Sequence, residues 1–402
     1  MIMTNNKDKK VLNVPTLRFP EFNGEWEKCK LSKVCSFFSG GTPPSSNKEY
    51  YNGNIPFIRS GELHNDETEL FITKEGLDNS AAKMVEVGDL LLALYGATSG
   101  NIAISKIKGA INQAILCIRT KQNKKFVESV WNKHVARLLQ TYLQGGQGNL
   151  SADIVKNIPF YFTNIEEQNK LARFISLLDQ RIAAQNKIIE KYESLIQAIC
   201  ETLIESEQYK VELSFNDFGK PYSGLSGKSA EDFGNGWPYI TYMNVYQNQI
   251  IDITDVGLVK INETEQQSVV RYGDILFTLS SETPDEVGMG AVYLGDAYPL
   301  YLNSFCFGVH ITDESKIFPP FLAYYISTKS FRKAVFPLAQ GSTRFNLQKN
   351  DFMKKIFHFP TVKKQSEIYS VLKAYSDKLS VEKNIVNLLC EQKSYLLRQL
   401  FI

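Results

Sequence analysis

Two segments of the chain, residues 167–204 and 364–401, each run for about 40 residues without glycine or proline. In both, apolar residues recur at steps that alternate between three and four positions, which is the spacing of a heptad repeat. The first segment carries the seam Leu171, Ile175, Leu178, Ile182 and Ile189. The second carries the seam Ile368, Leu372, Leu379, Val386, Leu389, Leu396 and Leu400. The pattern predicts two long helices, each with an apolar seam that must be buried.

The two helices match each other position by position. At an offset of 197, Leu171, Ile175, Ile182 and Ile189 correspond to Ile368, Leu372, Leu379 and Val386, and Leu178 corresponds to Tyr375. The polar residues Gln185 and Glu382 occupy the same place in the two repeats. The link after the first helix, residues 205–213, is short, so an antiparallel pair is favoured over a parallel one. At 1.5 Å per residue the pair would form a rod of about 55–60 Å. The alternative is that each helix packs on its own globular part.

The segments between the helices are also repeated. "VEVGDLLLALYG" (85–96) parallels "VVRYGDILFTLS" (269–280), and "AINQAILCI" (110–118) parallels "YLNSFCFGV" (301–309). The offset between copies grows from 182 at Pro56 and Pro238 to 197 at Asn149 and Asn346, as loop insertions would produce. The chain is therefore interpreted as two copies of one unit.

Each unit is expected to begin with an α+β globule. Short apolar runs alternate with Gly, Pro and Asn, which is typical of strands and turns. Residues 126–143 are predicted to form one helix, and residues 320–335 are predicted to form its counterpart. Asp89 and Asp274 follow glycines at matching turns, where each is expected to cap backbone amides.

Composition excludes several classes of protein. The chain has 402 residues, 43% hydrophobic, with a net charge of +2. No apolar run approaches the roughly 18 residues of a membrane span, and the first residues lack the apolar stretch of a signal peptide. Six scattered cysteines and four histidines argue against a zinc site and favour a reducing cytoplasm.

We find no convincing catalytic motif. "GLSGKS" (224–229) has too few residues between its glycines for a phosphate-binding loop. "NIPF" occurs twice, at 54–57 and 157–160, but has Ile where an adenine methyltransferase motif needs Pro, and no cofactor loop accompanies it. No catalytic residue and no metal ligand is therefore predicted.

Polar, glycine-rich segments at matching places in both units are suited to DNA phosphates and base edges. Those of the first unit supply the candidate contacts Ser39, Gly40, Gly41, Thr42, Arg59, Ser60, Tyr95, Ser99, Gln144, Gln147 and Asn149. Those of the second supply Ser226, Lys228, Tyr242, Asn244, Ser280, Ser281, Gln340, Ser342, Thr343 and Arg344. Arginine and lysine would donate to guanine or phosphate, and glutamine and asparagine would pair with adenine.

Several of these segments resemble one family. "LRFPEFNGEWEKCKLSKV" (17–34), "SGGTPPSSNKEYYNGNIPFIRSGEL" (39–63), "YSGLSGKSAEDFGNGWPYITYMNV" (222–245), "EEQNKLARFISLLDQRI" (166–182) and "SYLLRQLF" (394–401) are similar to specificity subunits of type I restriction–modification systems. The second helix departs from the pattern. Lys364 stands where the first helix has Glu167, and Ser376-Asp377 stands where it has Asp179-Gln180.

The resemblance implies a fold and a division of the chain. The fold is α+β, with two similar globular target-recognition domains separated by two long helices paired as an antiparallel coiled coil. The expected parts are recognition domain 1 (1–165), conserved helix 1 (166–206), recognition domain 2 (207–360) and conserved helix 2 (361–402).

The resemblance also implies a non-catalytic subunit that recognises a split double-stranded DNA target. It would hold two modification subunits, which methylate adenine with S-adenosylmethionine, and two restriction subunits, which use ATP and Mg²⁺. Those cofactors would belong to the partners and not to this chain. Two alternatives stay open: a stand-alone adenine DNA methyltransferase and a coiled-coil adaptor that binds only proteins.

Overall fold

The computed structural model describes residues 12–143 and 150–402, and their contacts divide the chain into two units. Unit 1 comprises residues 1–186 and 384–402, and unit 2 comprises residues 187–383. Each unit therefore contains part of both long helices. The four-part division expected from the sequence stays a prediction.

Besides the end of the last long helix, unit 1 contains among its described residues ten strands, four complete helices and the first half of the other long helix. In chain order these are β1 Glu27–Lys30, α1 Leu31–Val34, β2 Cys35–Ser39, β3 Tyr51–Ile58, β4 Phe71–Ile72, α2 Lys74–Asp78, β5 Lys83–Val85, β6 Leu90–Ala93, β7 Ile102–Ile104, β8 Gly109–Ile111, β9 Ile115–Thr120, α3 Lys124–Leu143, α4 Ala152–Asn157, β10 Pro159–Phe162 and the first half of α5 Ile165–Glu205. The strands form sheets in the orders β2-β9-β6-β7, β4-β3-β8-β5 and β1-β10. Helix α3 confirms the helix predicted over residues 126–143.

Unit 2 begins in the second half of α5 and ends in the first half of α10. Its further elements are β11 Lys210–Leu213, β12 Gly219–Ser223, β13 Phe233–Ile240, α6 Tyr242–Gln247, β14 Val256–Val259, β15 Ile275–Thr278, β16 Ser280–Ser281, β17 Gly290–Val292, β18 Tyr301–Leu302, β19 Cys306–Ile311, α7 Pro319–Tyr325, α8 Lys329–Val335, β20 Ala339–Gln340, β21 Phe345–Leu347, α9 Lys349–Lys354, β22 Phe357–Pro360 and α10 Val362–Leu400. Three sheets, β12-β19-β15-β17, β14-β13-β18 and β11-β22, follow the strand orders of unit 1, except that among the described residues the second has no counterpart of β5. A fourth sheet has the order β16-β21-β20.

The repeat inferred from the sequence is thus confirmed at the level of strand order. The matching Gly-Asp turns lie just before the buried central strands β6 and β15. Gly88 and Gly273 both have φ near +85° (88° and 84°), a conformation that glycine adopts without steric cost. The Asp89 carboxylate accepts from the Glu86 amide at 3.0 Å. The Asp274 carboxylate accepts from the Arg271 amide at 2.9 Å, so both aspartates cap their turns.

One predicted helix is wrong. Residues 320–335 form two helices, α7 and α8, and not one. The Thr328 hydroxyl donates to the Tyr325 carbonyl at 2.7 Å and accepts from the Phe331 amide at 3.3 Å. It therefore ends the first helix and caps the second, which is a known preference of threonine at a helix start.

The long helices pair antiparallel, as expected. In unit 1 the start of α5 packs with the end of α10, where Leu171 and Ile175 share an apolar cluster with Leu400 and Phe401. In unit 2 the end of α5 packs with the start of α10 in a cluster that contains the buried residues Ile196, Cys200, Ile204, Ile368 and Leu372. All twelve predicted seam residues are buried or half-buried.

Ion pairs mark the edges of the helix pair within each unit. In unit 1, Asp179 contacts Lys393 at 2.5 Å and Lys125 of α3 at 2.7 Å. Burial raises the pKa of Asp179, but the two lysines outweigh it, and the pKa lies below its usual value. In unit 2, Glu193 contacts Lys383 at 2.7 Å. These charges fix the register of helices whose seams are apolar.

A fully buried glutamine in the first turns of each long helix ties that helix to its domain. Gln168 accepts from the Asn123 amide at 3.1 Å and donates to the Thr163 carbonyl at 2.7 Å. Gln365 accepts from the Phe318 amide at 2.8 Å and donates to the Pro360 carbonyl at 2.8 Å. The same side chain therefore makes the same two kinds of bond in both copies.

The departures in the second helix change local contacts and leave this glutamine in place. In the first copy Glu167 holds Arg18 at 2.8 Å. In the second copy Lys364 pairs instead with Glu367 on its own helix, at 3.3 Å. Ser376 contacts the Tyr324 hydroxyl at 2.9 Å, where Asp179 in the first copy makes its ion pairs.

We expect the substitution Leu178→Asp to lower the free energy of unfolding by about 2 kcal/mol or more, because it places a carboxylate in an apolar seam. Leu178 packs against the core cluster of unit 1. Leu177→Asp is the matched control, since Leu177 is 54% exposed and a charge there stays in water. Urea unfolding of both variants measures the difference. Equal stability of the two variants would contradict the burial of this seam.

Candidate nucleic-acid interface

The candidate contacts of the second unit come from four polar segments, residues 222–229, 241–244, 279–286 and 340–346. The last three of these segments meet at one surface cavity. The cavity has a volume of about 340 Å³, and its lining residues are Tyr242, Met243, Tyr246, Ser280, Ser281, Glu282, Glu286, Phe305 and Arg344. They come from α6, from β16 and the turn after it, from the loop after β18, and from the β20–β21 hairpin. Four of the predicted contact residues, Tyr242, Ser280, Ser281 and Arg344, therefore lie together.

Helix α6 forms one wall of this cavity. The Thr241 hydroxyl accepts from the Asn244 amide at 3.2 Å and so caps the helix. Tyr242 and Tyr246, one turn apart, stack with ring centroids 6.0 Å apart. The Tyr242 hydroxyl donates to the Ser280 carbonyl at 2.7 Å, and burial raises its pKa. The helix thus presents two aromatic side chains to the cavity in fixed orientations.

The cavity also contains a fixed carboxylate, that of Glu286. It accepts from the Tyr246 hydroxyl at 2.7 Å and from the Ser281 hydroxyl at 3.1 Å. The hydrogen bond from Tyr246, with those from Thr283 and Ser281, lowers the pKa of Glu286. The group is therefore ionised at neutral pH and acts only as an acceptor.

Arg344 supplies the positive charge of the cavity. It lies in the β20–β21 hairpin, whose β21 strand pairs with β16 through Ser280 and Asn346. A Cβ at Gly341 would lie 2.0 Å from the Arg344 carbonyl oxygen, so only glycine fits this turn. Among the residues that the structure describes, Arg344 has no hydrogen-bond or ion-pair partner. Its guanidinium is exposed and free to bind a ligand.

Two predicted contacts of the second unit are contradicted by their burial. Asn244 is 0% exposed, and its amide donates to the carbonyls of Asp252 and Asp255 at 2.7 and 2.5 Å. The Lys228 side chain is 4% exposed and pairs with Glu265. Both side chains hold loops of the domain together, so neither is available for DNA.

The first unit brings two of its predicted segments together through a residue that the sequence analysis missed. The Thr42 hydroxyl donates to the Gln113 side chain at 2.5 Å, and Gln113 also hydrogen-bonds Tyr95. Gln113 is exposed and stands in the loop after β8. The corresponding loop of unit 2 follows β18 and carries Phe305, which is 58% exposed.

Arg59 lies in a separate, acidic cavity of about 580 Å³ that is also lined by Glu62, Glu67 and Glu69. Its guanidinium donates to Glu62 and to Glu69, both at 2.9 Å. Burial raises the pKa of Glu62, but the hydrogen bonds from Arg59 outweigh it and lower that pKa to about 2. The surrounding carboxylates disfavour a phosphate here. Any DNA contact of Arg59 would be with a base edge.

The glycines predicted to approach phosphate have a packing role instead. A Cβ at Gly40 would lie 1.8 Å from the Ile111 carbonyl oxygen, and one at Gly41 would lie 2.5 Å from the Ala81 Cβ. Gly224 in the second copy has the same relation to the Asn303 carbonyl oxygen, at 2.0 Å. Close contact between backbones therefore accounts for these glycines.

The remaining predicted contacts are distributed as follows. Gln144, Gln147 and Asn149 lie outside the described residues. Ser39 ends β2, Ser60 begins a 3₁₀ turn, and the Ser99 hydroxyl donates to the Leu94 carbonyl. Ser226 is exposed, as are the hairpin residues Gln340, Ser342 and Thr343. Their contact with DNA stays a prediction.

The sequence analysis did not name five residues of these sites: Gln113, Met243, Tyr246, Glu286 and Phe305. Gln113 and Phe305 stand within the repeated motif of residues 110–118 and 301–309. A polar or aromatic residue beside the shared asparagine of that motif was the available signal. Tyr246 follows Tyr242 at the spacing of one helical turn, which was a signal only once α6 was recognised as a helix.

No cluster of His, Cys, Asp and Glu in residues 12–143 and 150–402 could hold a metal ion. Within the same residues no helix has the length and hydrophobicity to cross a membrane.

All six cysteines are free; Cys117, Cys200 and Cys306 are buried, and Cys390 is exposed. Burial raises the pKa of each buried thiol to about 12, so these three side chains behave as small apolar residues.

Comparison with known proteins gives a consistent result along the chain. The family described as "Type I restriction modification DNA specificity domain" matches residues 23–194 and 223–390. The type I restriction enzyme MjaVIII specificity subunit of Methanocaldococcus jannaschii is 21% identical over 410 residues, 95% of this chain and 93% of that protein. The MjaIX specificity subunit of the same organism is 26% identical over 208 residues, 48% of this chain and 47% of that protein.

Two solved structures share the fold. The S subunit of a type I restriction–modification system from M. genitalium has a TM-score of 0.54 and 17% identity, covering 97% of this chain and 99% of that one. A chain from a structural study of assembly and conformational transition of the type I system has a TM-score of 0.57 and 15% identity, covering 92% and 96%.

Proposed function

Because this chain belongs to the type I restriction–modification DNA specificity family, whose domain it contains twice, we propose that each domain reads one half of a split DNA target. The chain is a DNA sequence-specificity subunit. Two copies of one domain, each with its own cavity or polar surface, are suited to two short sequences separated by base pairs that neither domain contacts.

The observation that carries this proposal is the convergence of three predicted segments at the cavity of Tyr242, Ser280 and Arg344. A guanidinium without a partner, a fixed carboxylate and the exposed Phe305 ring provide a donor, an acceptor and apolar surface. Those are the three kinds of group that read base edges. In the first domain, Thr42, Tyr95 and Gln113 offer hydroxyl and amide groups for the same purpose.

We further propose that this chain has no catalytic activity and acts through partners. Specificity subunits assemble in type I complexes, and two modification and two restriction subunits would join this one. S-adenosylmethionine, ATP and Mg²⁺ would bind to those partners, and the complex would act in the cytoplasm. The net charge of +2 is low for a protein that binds DNA alone. Partner subunits would therefore supply much of the positive surface around the duplex.

Mapping of methylated adenines in cells tests this proposal. With the partner genes present, we expect one split motif to be methylated when this gene is intact and unmethylated when an early stop codon interrupts it. The partner genes alone are the control for other methyltransferases.

Other outcomes would favour the alternatives. Methyl transfer by the purified chain without partners would indicate a stand-alone methyltransferase. An assembled complex that retains DNA without sequence preference would indicate a protein adaptor.

A further inference from the structure

The cavity of the second domain contains both a donor and an acceptor that are suited to a base pair. The Glu286 carboxylate is fixed by hydrogen bonds from Tyr246 at 2.7 Å, from Ser281 at 3.1 Å and from Thr283. A carboxylate has about four acceptor positions, so Glu286 can accept one further hydrogen bond. The geometry leaves an oriented acceptor in the wall of a cavity that is open to a ligand.

A carboxylate at a DNA-binding surface repels phosphate, because both groups are negatively charged. Its useful partners in the major groove are amino groups, those of cytosine N4 and adenine N6. The Glu286 carboxylate, which can only accept, is therefore more informative about the target than the hydroxyls that line the same cavity, since a hydroxyl can both donate and accept.

The base that Arg344 prefers distinguishes the cytosine amino group from the adenine amino group. It lines the same cavity and has no hydrogen-bond or ion-pair partner among the residues that the structure describes, and its preferred base contact is a bidentate one to guanine O6 and N7. A G·C pair presents these two acceptors beside the cytosine N4 donor, so one base pair satisfies both side chains. An A·T pair also offers an amino group, but that group lies between its two acceptors, adenine N7 and thymine O4, so the guanidinium has no two adjacent acceptors to bind.

Building on the proposed function, we propose that the cavity of the second domain recognises a G·C base pair, with Arg344 donating to guanine and Glu286 accepting from the cytosine amino group. Tyr246 acts as a positioning residue, because its hydroxyl orients the carboxylate. Phe305 and Met243 line the same cavity and are exposed, where they provide apolar contact to the neighbouring base pair.

The test uses the complete complex in cells and reads the methylated motif. We expect Glu286→Gln to relax or change the requirement at one G·C pair in the half-target of the second domain, with the cytosine preference reduced at least tenfold. The other half of the motif should stay unchanged. Asp285→Asn is the matched control. It removes the neighbouring carboxylate, which does not line the cavity, and should leave every position unchanged.

The outcomes separate this inference from the proposed function. If the unaltered chain directs methylation to no split motif, the proposed function fails. If the motif is split but the half read by the second domain requires no G·C pair, the inference alone is overturned. The same holds if Glu286→Gln preserves the full motif with the same stringency.

A second variant covers the case in which Glu286→Gln abolishes assembly. Tyr246→Phe keeps the carboxylate and removes only its orienting hydroxyl. A reduced preference for the same cytosine, with the rest of the motif intact, supports the inference. An unchanged preference overturns it.

Discussion

Exchanging residues 207–360 for the corresponding segment of a relative with a different target should change one half of the methylated motif and leave the other half as it was. The two ends of this segment lie side by side, because β11 and β22 pair antiparallel with Lys210 opposite Pro360. The exchange therefore joins new sequence to the chain at two neighbouring points, each next to the end of a long helix.

The core of the second domain supports the same expectation. Phe215, Phe277, Phe331, Phe352 and Phe357 pack with ring centroids 4.7–6.4 Å apart, and all come from inside the exchanged segment. The donor relative should keep apolar residues where this core meets the buried helix residues Ile204 and Ile368.

Sequencing that detects methylated adenine in cells with each version of the gene measures the result. A reciprocal exchange, which puts this segment into the relative, is the control and should transfer the same half-motif. A change in both halves, or in neither, would show that the two domains do not read DNA independently.

Phe401→Ala should lower the free energy of unfolding of unit 1 by about 3–5 kcal/mol, which is the usual cost of removing a buried phenylalanine ring. Phe401 is 1% exposed, and its ring lies 5.5 Å from that of Phe126 and 6.4 Å from that of Trp26. The chain near residue 400 is thus part of the core of the first unit, with Lys133 donating to the Phe401 carbonyl.

Tyr395→Ala is the matched control, because Tyr395 is an aromatic residue on the same helix that is 51% exposed. Denaturant unfolding followed by tryptophan fluorescence would report on Trp26 and Trp131 in unit 1, together with Trp237 in unit 2. A loss of less than 1 kcal/mol for Phe401→Ala would mean that the end of the chain does not occupy this core in solution.

The two turn aspartates show which contacts could be predicted from the sequence and which could not. Asp89 and Asp274 were identified as turn-capping residues from the Gly-Asp motif, and both are. Their second partners were not foreseen: Asp89 holds Arg119 at 2.7 Å, and Asp274 holds His310 at 2.9 Å. Arg119 and His310 are separated by 191 residues, the offset of the repeat at this strand. The cap depends on residues close in the sequence, whereas the contacts with Arg119 and His310 depend on the sheet register.

The segment Thr241–Asn244 at the candidate site also shows what the sequence did not predict, namely which side chains face the cavity. From sequence, Tyr242 and Asn244 were equal candidates for DNA contact. Helix α6 separates them, because residues two apart point to opposite faces of a helix. Tyr242 and Tyr246 consequently line the cavity, whereas Asn244 is buried in the domain. A short helix in a polar segment left too little periodicity to predict this.

By itself the sequence determined the duplication, the two long helices and their antiparallel pairing. Those features follow from local periodicity and from the order of motifs along one chain. Only the tertiary structure decided which polar segments meet, and that Glu286 and Arg344 line the same cavity. Folding brings together strands and loops that lie far apart in the sequence, and the burial of each side chain then decides whether its charge is used for stability or remains free for a ligand.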